Sequence, residues 1–177
     1  MIGIAILIAV LIFTGYMLHP KKQSNGESEA VIQSMEDLVP YFGMEQDTST
    51  GLGRDPLVSM SINDVDIVGA IEIPSLNLRA PVADKGISKK YFARWKSGSP
   101  VKGRFCIAGG RNDVFSRLTK GKPGETVAFT DMDGVRYEYT ITTQFHLKKW
   151  DQADYDLMLY YRTDEDTMFV LACTKAR

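Results

Sequence analysis

The sequence predicts a mostly β fold, a closed or incomplete β-barrel of seven to eight strands with short helices. Three observations predict it. From Asp64 onward the apolar residues fall in runs of strand length rather than at sustained helical spacing. Turn signals separate these runs roughly every eight to twelve residues, the rhythm of barrels and sandwiches. The Asp133-Gly134 step between two such runs is a hairpin-turn signal.

Composition narrows the function classes. The 177 residues carry 21 basic and 22 acidic side chains, a net charge of -1. Long-range attraction to nucleic acid is therefore not expected. The basic run Lys89, Lys90, Arg94 and Lys96 reads as a solvated face. Two cysteines do not make a disulfide scaffold, and the two histidines, His19 and His146, form no cysteine-histidine cluster of zinc spacing. Asp131 and Asp133 flank a turn and read as turn formers rather than calcium ligands. No metal and no cofactor is expected.

In chain order, Met1 to Leu18 carries no charged side chain. At 1.5 Å per residue it spans about 27 Å, enough to cross the hydrocarbon of a membrane. Residues 1–20 are expected to form a transmembrane anchor, with a cleaved signal peptide as the alternative. Lys21 and Lys22 follow the apolar run, so the positive-inside rule by itself weakly favours a cytoplasmic domain. Residues 21–55 read as a linker containing an amphipathic helix over about 29–42. Ala30, Val31, Ile32, Met35, Leu38, Val39 and Phe42 make its apolar face, Ser28 is a candidate cap and Gly43 a stop. The helix is expected to pack on the outside of the main domain.

Residues 56–177 make the barrel domain. Strands are expected at Val68–Ile73, ended by Pro74, at Leu76–Val82, and at Arg104–Ala108, ended by Gly109-Gly110. Ser88–Trp95 reads as a short helix and Ser97–Pro100 as a turn. Val114–Leu118 reads as one helical turn. Glu125–Asp131 and Gly134–Phe145 form a hairpin, with Tyr137, Tyr139, Ile141 and Thr143 on one side. Lys148–Thr163 reads as a linking segment with aromatic anchors. Thr167–Thr174 is the last strand, apolar enough to be buried.

Cys173 lies near the end of that strand. Two readings stand: a core cysteine, since free cysteine is among the most buried residue types, and a nucleophile seated at the rim of a sheet. A thiol nucleophile needs a nearby positive charge and donors for its anionic intermediate. Lys175 and Arg177 are close in sequence; an arginine could steady an oxyanion but cannot shuttle protons.

Several stretches resemble the sortases. Gly69-Ala70-Ile71-Glu72-Ile73-Pro74 with Pro81-Val82 resembles the opening strands of that family. Gly103 to Leu118 is similar to the segment in which an isoleucine-alanine-glycine run precedes the catalytic histidine. Gly121 to Tyr139 resembles the next hairpin. Val170-Leu171-Ala172-Cys173-Thr174 resembles the strand that ends in the catalytic cysteine.

The resemblance implies a membrane-anchored, single-pass, extracytoplasmic β-barrel. It implies a cysteine transpeptidase that cleaves the C-terminal sorting motif of surface proteins and passes the acyl group to a cell-wall or pilin amine. Cys173 would be the nucleophile and Arg177 the supporting arginine. Two departures accompany it. Gly110 stands where the family has its histidine. The family also continues past its cysteine to one further strand that carries the arginine, so the barrel is expected to be open beside the cysteine strand. The alternative is an inactive, peptide-binding or degenerate member. Cys106 lies on a strand that in the family runs near the cysteine strand, which opens a minor possibility of pairing with Cys173.

Overall fold

A computed structural model describes residues 22–39, 42, 53–85, 89, 91–148 and 154–176. The expected anchor at 1–20 and Arg177 lie outside these residues. No helix among the described residues is long and apolar enough to cross a membrane.

The chain begins with helix α1 (Lys22–Leu38), followed by strands β1 (Met60–Ile62), β2 (Val65–Ile73), β3 (Leu78–Ala83), β4 (Ala93–Ser99), β5 (Gly103–Ala108), β6 (Thr126–Asp131), β7 (Arg136–Leu147), β8 (Leu157–Arg162) and β9 (Met168–Lys175). The strand order is β1-β2-β3-β4-β5-β8-β9-β7-β6, and β6 pairs back onto β2. Eight strands thus close a ring, and β1 extends β2 beside it. The pairs β3–β4 and β5–β8 are parallel and the others antiparallel.

Alternation along the strands builds the barrel interior. Ile71, Ile73, Ile107, Val127, Phe129, Tyr139, Ile141, Leu157, Leu159, Leu171 and Cys173 belong to one buried cluster. Phe105 meets Phe129 edge-on, with centroids 4.8 Å apart. A second core lies outside the ring. Val31 and Met35 of α1, with Val39 and Phe42 just beyond it, pack on Ile62, Val65, Ile67, Ala70, Ala83 and Phe92. The helix docks on the domain as expected, through Val31, Ile32 and Met35, whereas Ala30 and Leu38 of the expected apolar face are exposed. The helix itself runs from Lys22 and stops at Leu38, so it takes in most of the stretch read as a polar linker.

Three further readings are corrected. The described part of the expected helix Ser88–Trp95 is not helical: β4 starts at Ala93 and runs through the expected turn to Ser99. Pairing with both β3 and β5 fixes it as a strand, and Gly98, at φ 67°, provides the local irregularity. The segment read as a linker before Thr163 contains β8. Its Leu157, Leu159 and Tyr161 face the barrel interior, while Met158 packs outside with Cys106 and Val170. Third, the ring is closed. β9 pairs with β8 on one side and β7 on the other, so the unpaired edge expected beside the cysteine strand is not there.

A bulge between Ile141 and Thr143 changes the faces of β7. Ile141 pairs with Cys173 and points inward. Beyond the bulge Thr143 pairs with Ala172 on the outer face, and Gln144 and His146 fall opposite Leu171 and Phe169. The expected shared face of Tyr137, Tyr139 and Ile141 therefore ends before Thr143.

Closure through β9 has a measurable consequence. Leu171→Ala removes a fully buried side chain from the strand that joins both ends of the ring. It is expected to cost about 2–5 kcal/mol in urea unfolding, while Thr142→Ala, exposed at the bulge, is expected to stay within about 0.5 kcal/mol.

Candidate active site

The parallel pair β5–β8 puts two strand ends side by side. Ala108 pairs with Tyr160, and the Gly109 amide donates to the Tyr160 carbonyl at 2.9 Å. Beyond them lie Gly110 and Arg111 on one chain, and Arg162 and Thr163 on the other. Arg111 Nη1 donates to the Thr163 carbonyl at 3.1 Å and ties the two segments together.

The turn after β5 is tightly folded. The Phe115 amide donates to the Gly110 carbonyl at 3.0 Å, and the Phe115 ring lies under Gly109 where a Cβ would collide with it. A Cβ on Gly110 would overlap the Asp113 carboxylate. The place where a histidine side chain would leave the backbone is thus already occupied by Asp113, whose Oδ1 accepts the Val114 amide.

The same rim receives three side chains from β7, β9 and β8. Tyr161 and Phe169 stack with centroids 5.3 Å apart, and His146 meets Phe169 edge-on at 5.4 Å. His146 is exposed, and the twelve-residue β7 carries it to this end of the barrel along β9. The sequence placed His146 in no cysteine-histidine cluster and gave it no role at a site. The signal that places it is the pairing of β7 with β9, which local periodicity does not contain. Thr163 is engaged at the rim, its Oγ1 donating to the Thr167 carbonyl at 2.9 Å.

Neither thiol is at this rim. Cys173 pairs with Leu157, at the opposite end of β8 from Arg162. Five residues at strand rise put it roughly 16 Å from that end. Cys173 is 0% exposed, and burial pushes its thiol up to about 12. The nearby cation of the sequence reading points elsewhere. Lys175 Nζ lies 5.2 Å from the Tyr137 ring centroid and 3.3 Å from the Pro100 carbonyl. Cys106 sits on the outer face, its thiol also raised by burial and its Sγ donating to the Arg104 carbonyl.

Both cysteines are free. Cys106 is two strands away from β9 and belongs to the outer cluster, whereas Cys173 belongs to the inner one. About 9.6 Å of strand spacing and opposite side-chain directions put the pair outside disulfide geometry. Among the described residues no group of three or more metal-ligating side chains gathers. Asp131 acts as a turn former, buried and accepting the amides of Asp133 and Val135 and the hydroxyl of Tyr137.

The sortase domain family matches residues 71–177, and the chain belongs to that family. No curated protein matches by sequence. Among solved structures, sortase A from Corynebacterium diphtheriae is 15% identical, with a TM-score of 0.55 over 64% of this chain and 62% of that one. Its lid mutant is 14% identical at a TM-score of 0.55, covering 84% of this chain and 91% of that one. Listeria monocytogenes sortase A is 21% identical at 0.54, covering 63% and 88%. These likenesses concern the fold.

The topology also reassigns the last two strands within the resemblance. There, the strand before the histidine runs near the cysteine strand, and one further strand follows. In this chain β5 runs beside β8, and the strand that follows β8 is β9. By neighbourhood, β8 ending at Arg162 takes the place of the cysteine strand, and Cys173 lies on the closing strand. The sequence reading followed the local string Val-Leu-Ala-Cys-Thr to β9, whereas strand neighbourhood points to β8, the other of two similarly apolar strands.

Thiol accessibility follows from this geometry. At pH 7.5 a thiol titrating near 12 is thiolate in about 3 of 100,000 molecules. Folding raises this pKa, so the stability linked to the neutral thiol is fully present below the ordinary thiol range near 9. It fades as pH rises through about 12. With an aromatic disulfide reagent at pH 7.5, the native chain is expected to react at least about a hundredfold more slowly than the chain unfolded in guanidinium, which should release two equivalents. Prompt release of one equivalent from the native chain would contradict the placement of Cys173.

Proposed function

We propose that this chain is a membrane-tethered, sortase-fold peptide-recognition protein that does not perform thiol transpeptidation through Cys173. One observation carries the reading: the full sequence has two cysteines, and both are buried away from the rim where β5 and β8 end. A transpeptidase must expose a thiolate to a peptide carbonyl and supply a proton shuttle to the leaving amine. Here the rim offers Asp113, Arg111, Arg162, His146, Tyr161 and Thr163, but no thiol.

What the rim does offer suits binding. Buried, stacked Tyr161 and Phe169 back the rim from the barrel interior, exposed His146 stands edge-on to Phe169, and Arg111, in the same turn as Asp113, bridges to the Thr163 carbonyl. The ligand expected from the family is the sorting-motif peptide of a surface protein. A cell-wall or pilin amine enters only if an acyl-enzyme forms. The uncharged stretch Met1–Leu18 supports tethering to the cell membrane, with the domain on the extracytoplasmic side where sorting substrates are presented.

Intact-mass measurement after incubation with a library of sorting-type peptides tests the reading. The full chain in mild detergent, its Cys173→Ala variant and its Gly110→His variant are all expected to show no acyl adduct. A Cys173-dependent adduct on the unaltered chain would overturn the proposal. An adduct on Gly110→His alone would overturn it as well, since it would mean that only the imidazole is missing.

A further inference from the structure

A cleft of about 530 Å³ lies between α1 and the barrel, outside the rim just described. Its apolar floor comprises Ile32, Leu78, Ala80 and Val114. Its polar walls include Glu29, Glu36, Arg79 and Arg117. The volume falls in the range of small-molecule sites.

The charges of this cleft are not all spent. Arg79 is fully engaged, its Nη2 on Glu36 at 2.5 Å and its Nε on Glu72 at 2.8 Å. Arg117 is held in place but not neutralised: its Nη1 donates to the Leu76 carbonyl at 3.2 Å. Among the described residues neither Arg117 nor Glu29 has an ion-pair partner. One free cation and one free anion therefore line the same cleft.

They stand at opposite ends of it. Glu27 of α1 bonds Lys89, beyond the end of β3, which fixes the first turns of the helix there. Glu36 bonds Arg79 near the start of β3. Glu29 is beside the first contact, while Arg117 reaches Leu76, just before β3. The lining of α1 from Ser28 to Glu36 covers about 12 Å of helix axis, and an extended tripeptide spans about 10 Å.

We propose that this cleft binds a short zwitterionic peptide, its C-terminal carboxylate on Arg117 and its N-terminal ammonium on Glu29. The proposal rests on the peptide-recognition reading for its ligand class only, and it adds a second subsite. Val114 and Arg117 belong to the turn that leaves Gly110, so the cleft and the rim are two faces of one packed turn. An Arg-carboxylate pair and a Glu-ammonium pair at the two ends select length as well as charge, because both form only when the peptide fits between them.

Isothermal titration of the full chain in mild detergent with Ala-Ala-Ala tests this, alongside the same peptide N-acetylated and C-amidated. The free tripeptide is expected to bind and each single block to weaken it by about tenfold. Arg117→Gln is expected to weaken the free peptide by about tenfold but to add little to the C-amide. Glu29→Gln, on the facing helix, is expected to do the same for the N-acetyl form, and Lys120→Gln to change nothing. No binding, equal binding of blocked and free peptides, or binding insensitive to both variants would each overturn the proposal. A Cys173 acyl adduct in the mass experiment would sink the non-catalytic reading and leave this cleft standing. Tripeptide binding lost on Phe169→Ala but not on Arg117→Gln would place the peptide at the rim and sink only the cleft.

Discussion

The ladder of β9 holds the molecule together in the literal sense. Met168 to Cys173 pair with β8 on one side, and the strand pairs with β7 on the other as far as Lys175. Without that double pairing the sheet would have two edges and its interior would be open to water. With it, Leu171 and Cys173 point into a closed core and Val170 into the smaller outer cluster. A strand in this position has no free edge and no exposed inner face. Any side chain it sends inward is solvated only if it lies at a rim, and Cys173 lies several residues from the rim where β5 and β8 end.

Burial then decides the chemistry. A thiol in this environment favours its neutral form because nothing nearby compensates the charge of the thiolate; desolvation is the sole cause of its raised pKa. The rim has the opposite character, with Arg111 anchored across it, Asp113 occupying the space over Gly110, and aromatic rings converging from three strands. The rim and the Cys173 thiol, which a transpeptidase would have to bring together, are separated here by roughly 16 Å along β8. Outside the ring, α1 adds its own core and, with β3 and the turn after Gly110, encloses a cleft lined by Arg117 and Glu29, neither of which has an ion-pair partner among the described residues.

Much of the fold was legible locally. The apolar runs of β2, β3, β5, β6, β7 and β9, the Asp133-Gly134 turn and the buried face of α1 follow from periodicity and turn chemistry. β4 was not legible, because Arg94, Lys96 and the Ser97-Gly98-Ser99 turn signal dilute its apolar residues; its neighbours make it a strand. β8 was hidden among aromatic residues read as anchors of a linker, although Leu157 to Tyr161 is an unbroken apolar run. That omission propagated to the site. With β8 unseen, β9 was matched to the cysteine strand and the barrel was expected to be open. The reading of Gly110 at the histidine position rests on a contiguous Ile-Ala-Gly run, a local signal. Strand neighbourhood is a long-range property, and no window of sequence around Cys173 contains it.

The protonation state of Cys173 tests the account most directly. Incorporating ¹³C-labelled cysteine and following the Cβ shifts from pH 6 to 11 reads each thiol separately, with Cys173→Ala assigning the signals. The account predicts that the Cys173 signal stays at its thiol position across the whole range while the chain remains folded. An inflection at or below pH 8 would show a stabilised thiolate, and would contradict the assignment of Cys173 to the closed core.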